Sequence, residues 1–247
     1  KTKELLVAPA DNVTNFEGIQ FLVENPYWEG AKISLYSAGE ESIASMPNIK
    51  VGKFITQVIL QNIEVEDIDL SNATDLRSAW VQNNPALQKL DLSYSTIWGQ
   101  GDKETEGNGT YGSSLMVLGC PILKEIKLPE KNELKAYRID IECLDALETF
   151  DMSNVKMVAE LSIGDLNKDF NLVYPELTIF YSEDGYAGTY FACSENTFYR
   201  ESTQAFLKAN YTDIDPDDTV RRLGYTSSLS YDKNKGCRWR TLLNKQK

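Results

Sequence analysis

Catalytic chemistry has few possible carriers in this 247-residue chain, because it contains no histidine. Histidine is the commonest general base, the base of Ser-His-Asp triads and the usual zinc ligand. Enzymes without histidine are chiefly carboxylate-pair hydrolases, but among 37 acidic residues some pair always lies close, so a pair alone is not specific. Phosphate loops, nucleophile elbows and dinucleotide fingerprints are also absent from the sequence. We therefore expect no catalytic residues, no metal, no cofactor and a non-enzymatic function.

Charged side chains at repeated positions are better candidates, for binding rather than catalysis. Each lies between two apolar residues of a segment that we predict to be a strand, so it points away from the buried face. The candidate ligand-binding residues are Asp69, Asp91, Lys127, Asp151 and Arg138. Stacked strands would place such positions ~4.8 Å apart, as a polar surface for a glycan, a peptide or a cation. The alternative is a solvated face of alternating charge, in which Lys89 compensates the neighbouring aspartates.

The strands that carry these residues follow a repeating apolar pattern. The pattern is an apolar residue, two spacers, a second apolar residue, one spacer and a third. Two such triplets recur with one 24-residue offset: Leu123, Ile126 and Leu128 as Leu147, Phe150 and Met152, and Leu134, Tyr137 and Ile139 as Val158, Leu161 and Ile163. A fixed period of this length indicates a solenoid, in which each unit buries its apolar face against the next.

Earlier triplets extend the pattern towards the N-terminus. They consist of Ile55, Val58 and Leu60, then Val65, Ile68 and Leu70, then Leu87, Leu90 and Leu92. The step from Leu87 to Leu123 is 36 residues, which is one period plus an insertion of 12. Residues 99–112 hold five glycines and a run of charges, so we predict this insertion there as an exposed loop.

The chain ends differ from the repeats. Residues 1–52 contain short apolar runs, including 19–23 and 33–36, that we predict to be strands of an N-terminal cap or of degenerate repeats. We expect the solenoid over residues 53–182 and an aromatic-rich C-terminal cap over 183–247, with a short helix at 201–209. The aromatic side chains of that cap would either fill its interior or form exposed platforms for a sugar or a protein.

Charge and cysteine content limit the class of protein. A net charge of −12 argues against a nucleic-acid partner, although residues 221–247 carry eight basic residues against one acid and form a basic tail. No apolar run approaches the ~20 residues of a membrane-spanning helix, and the polar first residues suggest a mature or truncated chain. Cys120 and Cys143 precede leading leucines and should be small core residues, whereas Cys193 and Cys237 could form one disulfide.

The sequence resembles the BspA-type leucine-rich repeats of bacterial surface proteins in three features. These are residues 121–129 (PILKEIKLP), the second apolar triplet that follows, and Cys143 before the next leading leucine. The resemblance covers roughly residues 55–180. It implies a leucine-rich-repeat solenoid of short parallel strands in an exported protein at the cell surface or outer membrane, sometimes lipid-anchored. It also implies adhesion, or binding of a host or cell-surface protein or glycan, without enzymatic activity. The alternatives are a carbohydrate-binding accessory protein or carboxylate-pair hydrolase, and a purely structural spacer.

Overall fold

The computed structural model describes residues 4–7, 13–25, 32–37, 43–100, 112–164, 166–167, 169–178, 182–183, 186–187, 189–210, 226–232 and 236–242. Its strands are β1 (Glu4–Val7), β2 (Lys32–Tyr36), β3 (Ala44–Ser45), β4 (Ile49–Lys50), β5 (Gln57–Gln61), β6 (Ile63–Glu64), β7 (Ile68–Asp69), β8 (Ser78–Gln82), β9 (Lys89–Asp91), β10 (Ser114–Leu118), β11 (Glu125–Lys127), β12 (Leu134–Glu142), β13 (Thr149–Asp151), β14 (Val155–Gly164), β15 (Asn171–Val173), β16 (Ser182–Glu183), β17 (Tyr186–Ala187), β18 (Tyr190–Cys193), β19 (Thr226–Asp232) and β20 (Gly236–Leu242). The helices are α1 (Ile19–Val23), α2 (Glu195–Phe198) and α3 (Glu201–Asn210).

Within the described residues, eight parallel strands form one large sheet in the order β1, β2, β5, β8, β10, β12, β14, β18. Neighbours in this sheet therefore follow one another along the chain. Register partners lie between 21 residues apart, as Val58 and Ala79, and 36 residues apart, as Ala79 and Leu115. The prediction of mostly parallel strands is confirmed in this form. A 24-residue step joins Leu115 and Ile139, but the predicted 24-residue step from Ile139 to Ile163 is wrong, because β12 and β14 pair Ile139 with Leu161, 22 residues on.

A second group of short strands lies between the strands of the large sheet along the chain. They pair in parallel as β3 with β6, β4 with β7, β9 with β11, and β13 with β15. β7 also lies beside β9, and β11 beside β13. The short strands of the group from β4 to β15 thus form a row on the other side of the core.

The core contains the side chains that face inward from both groups of strands. Inward positions of the large sheet, such as Leu35, Leu60 and Ile141, are fully buried, as are Leu90 and Phe150 on the short strands. The apolar residues of the repeated triplets meet here because alternate residues of a strand share one face, except for Tyr137, which is half-buried while its neighbour Ala136 faces the core. Each fully buried aliphatic side chain contributes about 1.5–3 kcal/mol to folding.

The first apolar run, residues 19–23, is the helix α1, so its prediction as a strand is wrong. Phe16 and Val23 are buried and Ile19 packs against the core, whereas Phe21 is 76% exposed. The spacing of Phe16, Ile19 and Val23 suits one face of a helix, and this contact with the core decides the conformation. The run at residues 33–36 does form a strand, β2.

The C-terminal part of the described chain contains the predicted helix, as α3, next to a buried aromatic cluster. The ring of Tyr174 stacks on Phe206 with centroids 4.5 Å apart, and Phe191 contacts both rings. These described rings fill the interior rather than forming a platform. Tyr199, by contrast, is 73% exposed.

The structure decides a question about the cysteines that the sequence left open. Cys193 has a free, buried thiol, so the possible disulfide with Cys237 is not formed. The physical reason is its position: Cys193 lies in register with Ile163 at an inward position of β18, where burial raises the pKa of the thiol to about 12. Cys120 and Cys143 are both buried in the core, as predicted, with Cys120 free and Cys143 in a disulfide.

Candidate functional site

The structure places the five predicted ligand-binding residues on two different surfaces. Asp69, Asp91, Lys127 and Asp151 lie at equivalent positions of the short strands, since Lys127 is in register with Asp91. Arg138 lies instead on β12 of the large sheet. We call the row of charged residues on β4 to β13 the short-strand face. Most of the predicted residues therefore share one surface, but Arg138 does not belong to it.

Three of the aspartates on the short-strand face hold the turn that follows their own strand. In each case a carboxylate oxygen, Oδ1, accepts a hydrogen bond from the backbone N–H of a serine two residues later. The pairs are Asp69 with Ser71 at 2.8 Å, Asp91 with Ser93 at 3.0 Å and Asp151 with Ser153 at 2.8 Å. Such Asx turns give aspartate a structural role. The sequence signal for this role is the repeated Asp-apolar-Ser triplet.

Ion pairs compensate most of the charge on the short-strand face. Lys50 lies 3.3 Å from Asp69, and Lys89 lies 3.1 Å from Asp91 and 3.3 Å from Glu125. The hydrogen bonds of Ser71 hold the pKa of Asp69 below its ordinary value, with a smaller contribution from Lys50. This arrangement matches the alternative of a solvated face with alternating charge. Each exposed pair contributes at most about 1 kcal/mol.

The outer face of the large sheet has a different composition. Its middle row contains Ile59, Trp80 and Met116, which are register partners on β5, β8 and β10, and we call these three residues the outer band. Ile59 is buried, while Trp80 and Met116 are half-buried. Most of the residues that flank them along the strands are polar, whereas buried Leu118 follows Met116 on β10; the polar ones are Gln57, Gln61, Ser78, Gln82 and Ser114. The band is an apolar strip with a largely polar border.

The indole N–H of Trp80 is a notable feature of the outer band. Its nitrogen, Nε1, is shielded from solvent and has no hydrogen-bond partner among the described residues. Buried polar groups normally have a partner, and an unpaired donor costs about 1–3 kcal/mol.

The outer band continues along the sheet into a cluster of charged side chains formed by Arg138, Asp140, Glu142 and Ser162. Arg138 donates from Nη2 to Oδ2 of Asp140 at 3.0 Å, and Ser162 donates from Oγ to Oε1 of Glu142 at 2.8 Å. Asp140 and Glu142 are fully buried. Burial raises the pKa of Asp140 to about 6, although Arg138 acts in the opposite direction. Its second oxygen, Oδ1, has no hydrogen-bond partner in the described chain.

Sequence reasoning identified Arg138 but missed Asp140 and Glu142. The signal was present, because Arg138, Asp140 and Glu142 alternate with the core residues Ile139 and Ile141. This period of two puts the three charged residues on one face of β12. Their burial, however, depends on neighbouring strands that the local pattern does not reveal.

Neither metal-binding geometry in the described residues nor similarity to known proteins assigns a function to this chain. Across the described residues, acidic and cysteine side chains nowhere converge in a group of three that could hold a metal ion. None of the helices in that part of the chain has the length and apolar character to span a bilayer. No protein-family model matches this sequence, and neither curated proteins nor solved structures include a significant match to it.

Proposed function

We propose that this chain is a leucine-rich-repeat solenoid that serves as a non-catalytic binding or adhesion protein, presenting its sheet to a protein or glycan ligand at a cell surface. The outer band of Ile59, Trp80 and Met116 is the observation that carries the proposal. Repeat architecture is supported by the strand order, because the strands of the large sheet lie side by side in the order in which they occur in the chain.

The outer band has the composition of a binding interface. Aromatic residues and methionine are enriched at interface centres, with polar residues around them. Trp80 is half-buried and supplies a large aromatic surface, and tryptophan is enriched at binding hot spots. Arg138, at the end of the same face, is 35% exposed and adds a charged contact at the border.

The burial of Asp140, whose pKa is raised, supports a non-catalytic function. A carboxylate-pair hydrolase needs two carboxyl groups beside its substrate. Asp140 has a raised pKa, but its side chain and that of Glu142 are both fully buried. A substrate would not reach either group without displacing part of the protein.

Export to the cell surface, with attachment to an outer membrane or through a lipid, is part of the same proposal and rests on the resemblance to BspA-type repeats. The short-strand face is then the structural side of the protein, since its aspartates hold turns and its charges are paired. A purely structural spacer would instead have no ligand for the outer band.

The test is a screen of the purified chain on arrays of glycans and extracellular host proteins. Trp80→Ala removes the centre of the outer band, and Tyr94→Ala is the matched control, because Tyr94 is 49% exposed after β9. We expect at least one ligand whose binding signal falls about tenfold or more for W80A but not for Y94A. Circular dichroism should show that both variants are folded. Binding that survives W80A would place the ligand elsewhere, and no ligand on either array would favour the spacer.

A further inference from the structure

A cleft of about 420 Å³ lies away from the outer band, between the N-terminal helix and two loops of the short-strand row. The end of α1 contributes Val23 and Glu24, the loop after β4 contributes Lys53 and Phe54, and the loop after β7 contributes Asn72. Its size is within the range of small-molecule sites, which is about 300–1,000 Å³.

The cleft combines an apolar surface with an open aromatic ring. Val23 and Ile55 are buried in its wall, and Phe54 is 49% exposed. A single exposed phenylalanine is ordinary on a protein surface, as Phe21 shows at 76% exposure. Here the ring borders a concave space rather than a flat surface, so a ligand in the cleft would cover it.

Three polar side chains of the cleft have no intramolecular partners in the described chain, whereas Thr74 donates from Oγ1 to Oδ1 of Asp75 at 3.1 Å. Neither the carboxylate of Glu24, the ammonium group of Lys53 nor the side-chain amide of Asn72 makes a hydrogen bond or ion pair there. The neighbouring short-strand face differs, since Lys50 and Lys89 are paired with carboxylates. Unpaired donors and acceptors are therefore concentrated where the cleft and the exposed ring also lie.

Hydrogen bonds keep the loop that carries Asn72 in one conformation. Asp69 accepts from the N–H of Ser71 at 2.8 Å, and Thr74 donates its N–H to the carbonyl of Asn72 at 2.9 Å. The carbonyl of Thr74 in turn accepts from the N–H of Thr96 at 2.9 Å. A loop ordered in advance loses little conformational entropy on binding.

We propose that this cleft binds a neutral hexopyranose unit of a glycan. A pyranose ring has a face of C–H groups that suits the ring of Phe54 and a border of hydroxyl groups that suits the other three side chains. Glu24 accepts from two neighbouring hydroxyls, while Asn72 and Lys53 donate to ring or hydroxyl oxygens. Because the charges of Glu24 and Lys53 offset each other, the cleft favours no ionised sugar.

The sugar site is separate from the outer band, so its success or failure does not decide the proposed adhesion function. The probes are methyl glycosides of glucose, galactose, mannose and N-acetylglucosamine at about 10 mM, a concentration suited to millimolar affinity, observed by saturation-transfer NMR. Phe54→Ala and Asn72→Ala test the cleft. Phe21→Ala is the matched control, since Phe21 is 76% exposed and does not line it.

We expect saturation transfer to the C–H protons of at least one glycoside with the wild-type protein and with F21A. Affinity should fall about tenfold or more for F54A and for N72A. Both substituted side chains are exposed, so the variants should fold, and thermal unfolding checks this. The proposal is overturned if no glycoside receives saturation, or if F54A and N72A bind as the wild-type protein does.

Discussion

Replacement of Asp140 by asparagine should stabilise this protein near neutral pH. Asp140 is fully buried on the outer face of β12, and burial raises its pKa to about 6, from an ordinary value of 3.8. A carboxyl group with a raised pKa in the folded state destabilises that state when it is ionised. The difference corresponds to about 3 kcal/mol of lost stability above pH 6, which asparagine avoids because it carries no charge.

The sign of the pH dependence follows from the same values. Because the folded protein holds this proton more tightly than the unfolded chain, the contribution of Asp140 to stability rises as the pH falls through 6. It is complete below about 3.8, the ordinary value. Between about pH 7.5 and about pH 5, the wild-type protein should gain roughly 1 kcal/mol from protonation of this buried site. Asp140→Asn should lack that gain and should be more stable by about 1–3 kcal/mol at the higher pH.

Urea denaturation followed by circular dichroism measures both quantities. The matched control is Asp145→Asn, because Asp145 is an exposed aspartate just beyond the same strand. Its pH dependence should equal that of the wild-type protein. The reasoning is refuted if Asp140→Asn is less stable than the wild-type protein at about pH 7.5 and keeps its full gain at about pH 5.

Three further predictions concern the turns and the inserted loop. Asp151→Ala should lower the free energy of unfolding by about 0.5–1.5 kcal/mol. Asp151→Asn should be as stable as the wild-type protein, because asparagine keeps the oxygen that accepts from the N–H of Ser153. An equal loss of stability in both variants would exclude the role of Asp151 in the turn. Gly99→Ala should cost about 2–4 kcal/mol by urea titration, since Gly99 has φ +79° and a new Cβ would lie 2.6 Å from Cδ2 of Leu134. Replacing residues 101–111 with a Gly-Ser linker should change the free energy of unfolding by less than about 1 kcal/mol, because the entropy of loop closure depends weakly on loop length. A larger loss would show that the loop has a structural role.

The inserted loop was predicted from its glycines, and most of it, residues 101–111, lies outside the described residues. Its two ends are described and lie together: Gly99 donates its N–H to Oγ of Ser113 at 2.7 Å. The 36-residue step across it appears in both groups of strands, since Ala79 pairs with Leu115 and Leu90 with Ile126. The apolar spacing alone was enough to predict this, because an insertion outside the strands leaves the register unchanged.

Other features could not be predicted from local spacing. Trp80 and Met116 lie on strands that the triplet pattern missed, because small residues replace an apolar one: Ala79 is the second member after Leu76 in β8, and Gly112 takes the leading position before β10. The helix α1 contains five residues that also suit a strand, and only its contacts with the core decide between the two. The burial of Asp140 likewise depends on tertiary neighbours. An outward position on a strand is expected to be solvated unless other parts of the chain cover it.

The strand order of the large sheet also bears on how the protein folds. The strands of this sheet lie side by side in the order in which they occur in the chain, so partners such as Val58 and Ala79 are only 21 residues apart. Relative to the chain length of 247 residues, such separations give a contact order of roughly 0.1, which is typical of fast-folding domains. Growth of the sheet requires only the addition of the next strand to an existing edge. Amide hydrogen exchange should therefore be slowest at β8 and β10 and faster towards β1, because strands are lost first from an end.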